Sequence, residues 1–378
     1  MKRIITGLLV LIIAVTSVYA SVTFSGKVVA GYTFSFNDYY SDDVKYYGRL
    51  YGEDNLDSEY AKVNIAVTNK EESVSATLDG ALYADGRLGA DFSFQLMDLF
   101  DLETDFSLKF ALKYDDRISA LRAYNNTYSL AKNADRLRTI ESGVGFYIEV
   151  GYGSLVSARF GLVPELNANT ATGNQHLSGT ASVLLKPLDG LEFSLGYVYY
   201  PGNTASELIF LSSDGNSEAD HAWGAAFDAN IAKLVGLDFD LGISASYVGG
   251  YNRVSKEVGA VILTTVYGGY DFINLGAEFG VVVNPSTYLA FVQGQDVQYT
   301  LQVVAQLNVV VPVTIFFGCP NLEEIGDRWF AGANVGVGWK GIYFFLQVEY
   351  STLGTLSDHY CIGNGQGFSI TPFFTFSF

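Results

Sequence analysis

The sequence is poor in the residues that polar catalysis depends on. Among 378 residues there are three histidines, two cysteines and two methionines. His176, His221 and His359 all fall at or within expected surface loops, and no Ser–His–carboxylate constellation is visible in the sequence. Long hydrophobic runs are absent beyond residue 20. The nearest, Val303 to Phe317, is interrupted by Gln306, Asn308 and Pro312, and a spanning helix needs about 18 apolar residues. Basic residues are the minority, 22 Lys and Arg against 40 Asp and Glu. What remains is strand and turn chemistry: 26 Tyr, 27 Phe and 40 Gly in a chain that is 49% hydrophobic.

The first twenty residues read as a secretory signal peptide. Lys2 and Arg3 form a positive start, Ile4 to Val15 an apolar stretch, and Val18-Tyr19-Ala20 a cleavage site with small residues at the key positions. The expected mature chain, 21–378, is one domain. An exported chain without membrane helices is either a secreted β protein or a β-barrel in an outer membrane.

Period-two alternation favours the barrel. In VTFSGKVVAGYTFSF, the residues Val22, Phe24, Val28, Ala30, Tyr32, Phe34 and Phe36 share one face. That run is longer than the about 5–6 residues of a usual soluble strand. The alternation recurs through Phe106–Tyr114, Leu191–Tyr199, Leu237–Tyr247 and Ile342–Tyr350. Short links, near Asn69–Ser73, Gly151–Ser154, Pro187–Gly190, Leu234–Gly236 and Gly268–Asp271, alternate with long polar ones. The long ones include Asn37–Asp57, Asp115–Glu141, Pro201–His221, Gly249–Lys256 and Ser351–Gly365. Short turns on one side and long loops on the other describe an all-β, transmembrane, antiparallel up-and-down barrel of about 16–18 strands. A poorly alternating segment, Val258–Tyr267, and the undivided stretch Val297–Phe317 set the spread of that count. The alternative is a secreted β-sandwich or β-helix, which leaves the aromatic rows without a purpose.

The chain ends ITPFFTFSF, with Phe368, Ile370, Pro372, Phe374, Phe376 and Phe378 on one face. In water such a terminal strand is an open edge that invites aggregation. In a barrel it closes against the first strand. The stretch resembles the C-terminal strand of Gram-negative outer-membrane proteins, in which the barrel-assembly machinery reads the strand ending in Phe. That resemblance makes Phe374, Phe376 and Phe378 the expected assembly signal. Pro372 departs from the pattern and removes one ladder donor.

The longest link, DDRISALRAYNNTYSLAKNADRLRTIESG, follows the fifth strand. In position and length it resembles the loop of general porins that folds into the barrel and narrows the pore. On that resemblance Arg117, Arg122, Lys132, Arg136 and Arg138 are constriction residues, although the family loop is often acidic. An external loop with a short surface helix is the alternative. On the polar strand faces, Lys27, Lys62, Lys109, Lys113 and Arg159 come from early strands. Asp228, Asp238, Asp240, Glu278 and Glu349 come from later ones. A charge-segregated lumen tunes ion selectivity, and the basic set is an anion-favouring wall or simply solvated lumen.

Three further features have modest expectations. Tyr39, Tyr40, Tyr46, Tyr47 and Tyr51 in the first loop offer stacking faces or pack the barrel mouth. The segment Asp214 to Asp220 spaces oxygens as calcium loops do, but Ala225 stands where the twelfth-position Glu belongs, so no metal is expected. Cys319 and Cys361 fall in loops on one side, in a compartment that permits a disulfide, and are expected to pair.

The function expected is passive diffusion of small hydrophilic solutes or ions through a water-filled barrel, without enzyme activity or cofactor. Its partners are outer-membrane lipid, the barrel-assembly machinery and the solutes, with no nucleic acid. A homotrimer is among the arrangements the resemblance allows. The alternatives are an adhesin-like barrel that binds through its loops and a hydrophobic-solute transporter. The latter family usually begins with a plug, whereas here a strand starts almost at Ser21.

Overall fold

The structure, a computed structural model, describes residues 20–36, 47–50, 61–69, 74–82, 88–95, 105–114, 145–165, 176–199, 219–252, 258–283, 296–319, 321–339, 342–352 and 367–377. They form one antiparallel sheet that closes on itself. The first arc comprises β1 (Ala20–Phe36), β2 (Tyr47–Leu50), β3 (Ala61–Asn69), β4 (Val74–Leu82), β5 (Leu88–Gln95) and β6 (Phe106–Tyr114). Next come β7 (Gly145–Tyr152), β8 (Val156–Glu165), β9 (His176–Leu188), β10 (Leu191–Tyr199) and β11 (Ala219–Asn230). After a one-turn helix, α1 (Ile231–Leu234), follow β12 (Asp240–Asn252), β13 (Val258–Tyr270), β14 (Ile273–Val283) and β15 (Val297–Leu307). The last arc is β16 (Val313–Cys319), β17 (Phe330–Trp339), β18 (Ile342–Ser351) and β19 (Gly367–Ser377).

The ring has eighteen places. β2 and β3 occupy one of them, because both pair with the same side of β1, at Tyr32↔Leu50 through Ser35↔Tyr47 and at Ala20↔Asn69 through Val28↔Ala61. Residues 37–46 and 51–60 lie outside the described residues, and Tyr47, expected in the first loop, belongs to a strand. Val297–Phe317 divides into β15 and β16. β12 runs on to Asn252, into the stretch Gly249–Lys256 that was expected as a long link.

Closure occurs where the terminal strand led one to expect it. β19 pairs with β1 from Lys27↔Ser377 to Phe36↔Phe368. Recorded pairs stop at Gly31↔Phe373 and resume at Phe34↔Ile370, flanking Pro372, which has no N–H to donate. Each of the eighteen places is paired with its neighbours on both sides, although within the second place β2 itself has a register only with β1.

The two faces follow the pleat. Outward side chains are large, apolar and exposed: Phe160, Leu162, Leu195, Phe279, Val337 and Leu346 among them. Outward aromatics gather towards both rims. Phe106 meets Tyr152 edge-on at 5.0 Å on the short-turn side, and Phe36 lies 6.3 Å from Phe368 on the long-loop side. A tall apolar band between aromatic girdles is the exterior of a membrane-spanning barrel. Val258–Tyr267 alternates poorly in sequence because both its faces are apolar. Ile262 and Val266 point out, while Val261, Leu263 and Tyr267 are buried on the inside.

Short turns close the hairpins with the conformations tight turns require. Gly190 takes φ 89°, and a Cβ there would stand 3.2 Å from the Asn230 carbonyl. Asp271, at φ 52°, opens the two-residue link between the paired Tyr270 and Ile273. The turn before β12 holds α1, capped by Asn230, whose side chain accepts from the Lys233 N–H at 2.9 Å. Leu237 to Phe239, expected to begin a strand, belong to this turn.

Candidate functional site: the inner wall of the barrel

Among the described side chains, charges on the inner wall lie mainly on β6 to β11, and there they reach solvent. Lys109 stands directly across from Glu149, and Glu149 from Arg159. Arg159 donates from Nε and Nη2 to Glu149 Oε2, at 2.9 and 2.6 Å. Its guanidinium also lies 4.5 Å from the centroid of the buried Tyr147 ring. Ion pair and ring together fix the guanidinium, and the aromatic face favours the cation. Lys186 bonds Glu192 near the short-turn rim, at 2.5 Å.

A transverse polar row continues from there. Reading across the ladders, Glu192 is followed by Asp228, Ser244, Thr265, Glu278 and Gln302, each opposite the next. Asp228 accepts from Tyr267 Oη, 3.3 Å from each carboxylate oxygen. Tyr267 reaches it by crossing β12 over Gly242, where any Cβ would collide with the ring. Glu278 accepts from Thr265 Oγ1 at 3.1 Å. Further round, Glu349 accepts from Gln347 Nε2 at 3.1 Å.

Accessibility differs between the two arcs. Lys109, Glu149, Arg159, Glu192 and Asp228 are half-buried. Glu278 and Glu349 are 2% and 1% exposed. Water on the inner wall therefore meets the β6–β11 charges, and the two glutamates sit within a packed polar layer. That layer includes Gln298, Thr300 and Thr371, together with apolar Val304, Phe316 and Phe330.

The expected residues distribute as follows. Lys109, Arg159, Asp228, Glu278 and Glu349 are on inner-wall positions. Asp238 is an exposed residue of the turn before β12, not a strand residue. Asp240 is the first residue of β12, exposed at the rim and held by Asn230 Nδ2 at 3.0 Å. Lys27, Lys62 and Lys113 lie within strands; Lys27 and Lys62 are directly opposite one another in the β1–β3 ladder. Arg117, Arg122, Lys132, Arg136 and Arg138 fall in 115–144, outside the described residues, as do Cys361, His359 and Phe378. β6, which precedes that segment, is the fifth place in the ring. Phe374 and Phe376 face outward in β19.

Several residues escaped the sequence reading. Glu149 and Tyr147, which hold Arg159, lie in Gly145–Tyr152, a segment whose alternation was legible but whose partners were not. His221 belongs to β11, not to a loop, and its Nδ1 lies 2.6 Å from Tyr197 Oη. Cys319 is a free, buried thiol in the structure, and Cys361, its expected partner, lies outside the described residues. Cys319 is the last residue of β16 and donates to the carbonyls of Asn321 and Arg328, at 3.1 and 3.2 Å. At 1% exposure, it should resist a maleimide in the folded protein and react after unfolding. Fast labelling of Cys319 in the native barrel, read by mass spectrometry, would contradict the packing of that strand end.

No protein-family model matches the chain, and no curated protein matches its sequence. Solved structures do match its fold. The chain is similar to OccK2 (OpdF) of Pseudomonas aeruginosa, with TM-score 0.54 and 10% identity over 94% of this chain and 97% of that one. OccK11 (OpdR) of the same organism gives 0.53 and 11% identity over 94% and 95%. OmpF of Salmonella typhi, solved with daunomycin, gives 0.50 and 11% identity over 94% and 97%. The fold is that of an outer-membrane porin-like β-barrel.

Proposed function

We propose that the chain is an outer-membrane porin through which small hydrophilic solutes and ions diffuse passively. The observation that supports it best is the pairing of opposites across one closed wall: an apolar exterior and, on β6 to β11, solvent-reached charges inside. Eighteen strands enclose more than their own side chains can fill. Lipid surrounds the exterior, and the barrel-assembly machinery reads the aromatic terminal strand. No catalytic step or cofactor enters this reading.

Among the described residues, the accessible inner charges of β6 to β11 are nearly balanced, because Glu149 neutralises Arg159, so on these strands the basic residues do not form a positive surface of their own. With two more glutamates in the wall and an acidic chain overall, the channel favours cations weakly. Arg159→Gln removes one positive charge from beside Glu149. A unit charge about 5 Å from a passing ion in water is worth about 0.8 kcal/mol, which is about a fourfold change in local cation concentration. Cation preference should rise accordingly, most clearly at low salt, and Glu149→Gln should move it the other way.

Single-channel recording of the refolded protein in a planar bilayer, under a salt gradient, tests both statements. Stable open steps with a reversal potential that moves in opposite directions in the two variants are expected. A correctly folded barrel without conductance would overturn the porin reading.

A further inference from the structure

Three neighbouring turns on the short-turn rim carry apolar side chains at their tips. They are the turn that holds α1 before β12, the two-residue link Asp271–Phe272, and the link 308–312 between β15 and β16. Val235 is 64% exposed, Tyr270 67% and Val310 100%, and Leu237, Phe272 and Val309 are exposed with them. Tight links favour Gly, Asn and Asp. Nothing in hairpin chemistry calls for three valines in a row at 309–311 or for a ring on each side of Asp271.

Carboxylates are interleaved with these side chains. Asp238 stands between Leu237 and Phe239, Asp240 follows, and Asp271 lies between Tyr270 and Phe272. Lys233, the basic residue of α1, is held by Asp189 at 2.6 Å. The ion pairs among the described residues include none of Asp238, Asp240 and Asp271. Those three line a cavity of about 300 Å³ between the first two turns, with Asn230 and Asn274 also on its walls.

Backbone bonds tie each turn to a neighbour. The Asn230 N–H donates to the Gly190 carbonyl at 2.8 Å, and the Asn308 N–H to the Phe272 carbonyl at 2.6 Å. Asn230 Nδ2 holds Asp240 as well. A surface ordered in advance loses little conformational freedom when it binds.

The mixture of acid and apolar groups narrows the occupant. Hydrocarbon would have to take in three carboxylates, which is costly. Anionic lipid headgroups, or a second copy of this acidic chain, would set negative charge against negative. A metal ion needs converging ligands, and among the described residues no group of three His, Cys, Asp or Glu could hold one. A segment with basic and apolar side chains in alternation answers Leu237-Asp238-Phe239-Asp240 and Tyr270-Asp271-Phe272 at both kinds of position.

The geometry points to this rim as a docking surface for an extended basic segment of another protein, one with apolar side chains at alternate positions. That the partner is periplasmic rests on the porin reading; the docking does not.

The probe is a five-residue peptide alternating lysine and valine, with both ends blocked. It is titrated calorimetrically into the folded protein in discs of zwitterionic lipid, with empty discs as the blank. It should bind at least about fivefold more tightly than the same peptide with serine for valine, and glutamate in place of lysine should abolish binding. Asp238→Asn and Asp271→Asn should each weaken it about threefold, the worth of one exposed ion pair. Asparagine suits the φ of 52° at position 271, so the turn is kept. Val310→Ser should also weaken it about threefold, and Asp327→Asn, on the long-loop rim, should leave it unchanged. In the same discs Val310→Cys should react with a charged maleimide, located by peptide mapping. No binding above the blank, equal binding of the serine peptide, or indifference to the two aspartate substitutions together would overturn the docking surface. So would a Val310→Cys thiol shielded by lipid. A conducting protein that does not bind the peptide sinks the docking surface alone, and a binding protein that does not conduct sinks the porin reading alone.

Discussion

Gly332→Val is expected to destabilise the barrel by about 3 kcal/mol, the upper end of the usual cost of overpacking. Gly332 lies on β17 between Phe316 of β16 and Glu349 of β18. A Cβ there would be 2.5 Å from Phe316 Cζ and 2.5 Å from the Val348 carbonyl oxygen. The ring is held against Phe330, 6.2 Å away, and both are buried. The carbonyl cannot retreat without opening the β17–β18 ladder. Alanine should cost less than valine, and adding Phe316→Leu to Gly332→Ala should recover part of the loss, since it clears one contact of the two. The measurement is the denaturant midpoint of the folded protein in detergent. A wild-type midpoint for Gly332→Val would mean that the inner wall is not packed this way.

Leu195→Arg tests the outside. Leu195 is the middle residue of β10, faces outward and is 60% exposed. If that face meets hydrocarbon, an arginine near the midplane costs about 2–4 kcal/mol. If it meets water, a surface substitution costs under about 0.5 kcal/mol. Ser157→Arg, on the inward face of β8 and half-buried, should stay near the smaller figure. The readout is stability and yield of insertion into lipid vesicles. A large loss at Leu195 with little at Ser157 fixes which face is solvated. Equal effects at the two would remove the membrane assignment.

Much of the exterior was legible from the residues. Phe106, Leu195 and Phe376 alternate with polar or small residues because lipid imposes one requirement on every second position, and a single strand shows it. The count of eighteen followed from the same alternation and from turn signals such as Asp271 and Gly190. Where the inner face is also apolar, as in Val258–Tyr270, the alternation fades and the strand is hard to read. Leu237 to Phe239 misled for the converse reason: an apolar, alternating turn looks like a strand until its place beside α1 is known. Cys319 was assigned to a loop because Gly318 and Pro320 flank it, and its pairing was argued from side alone.

The sequence by itself determined an acidic chain of alternating strands that must close on its own last segment. Those are local properties, set by the pleat and by the solvent each face meets. Only the tertiary structure decided what the inner wall is made of. Arg159 finds Glu149, Tyr267 crosses Gly242 to reach Asp228 across thirty-nine residues of sequence, and Phe345 lies flat beside Phe373. Each depends on the register between neighbouring strands, and a shift of one residue would turn every one of these side chains to the other face.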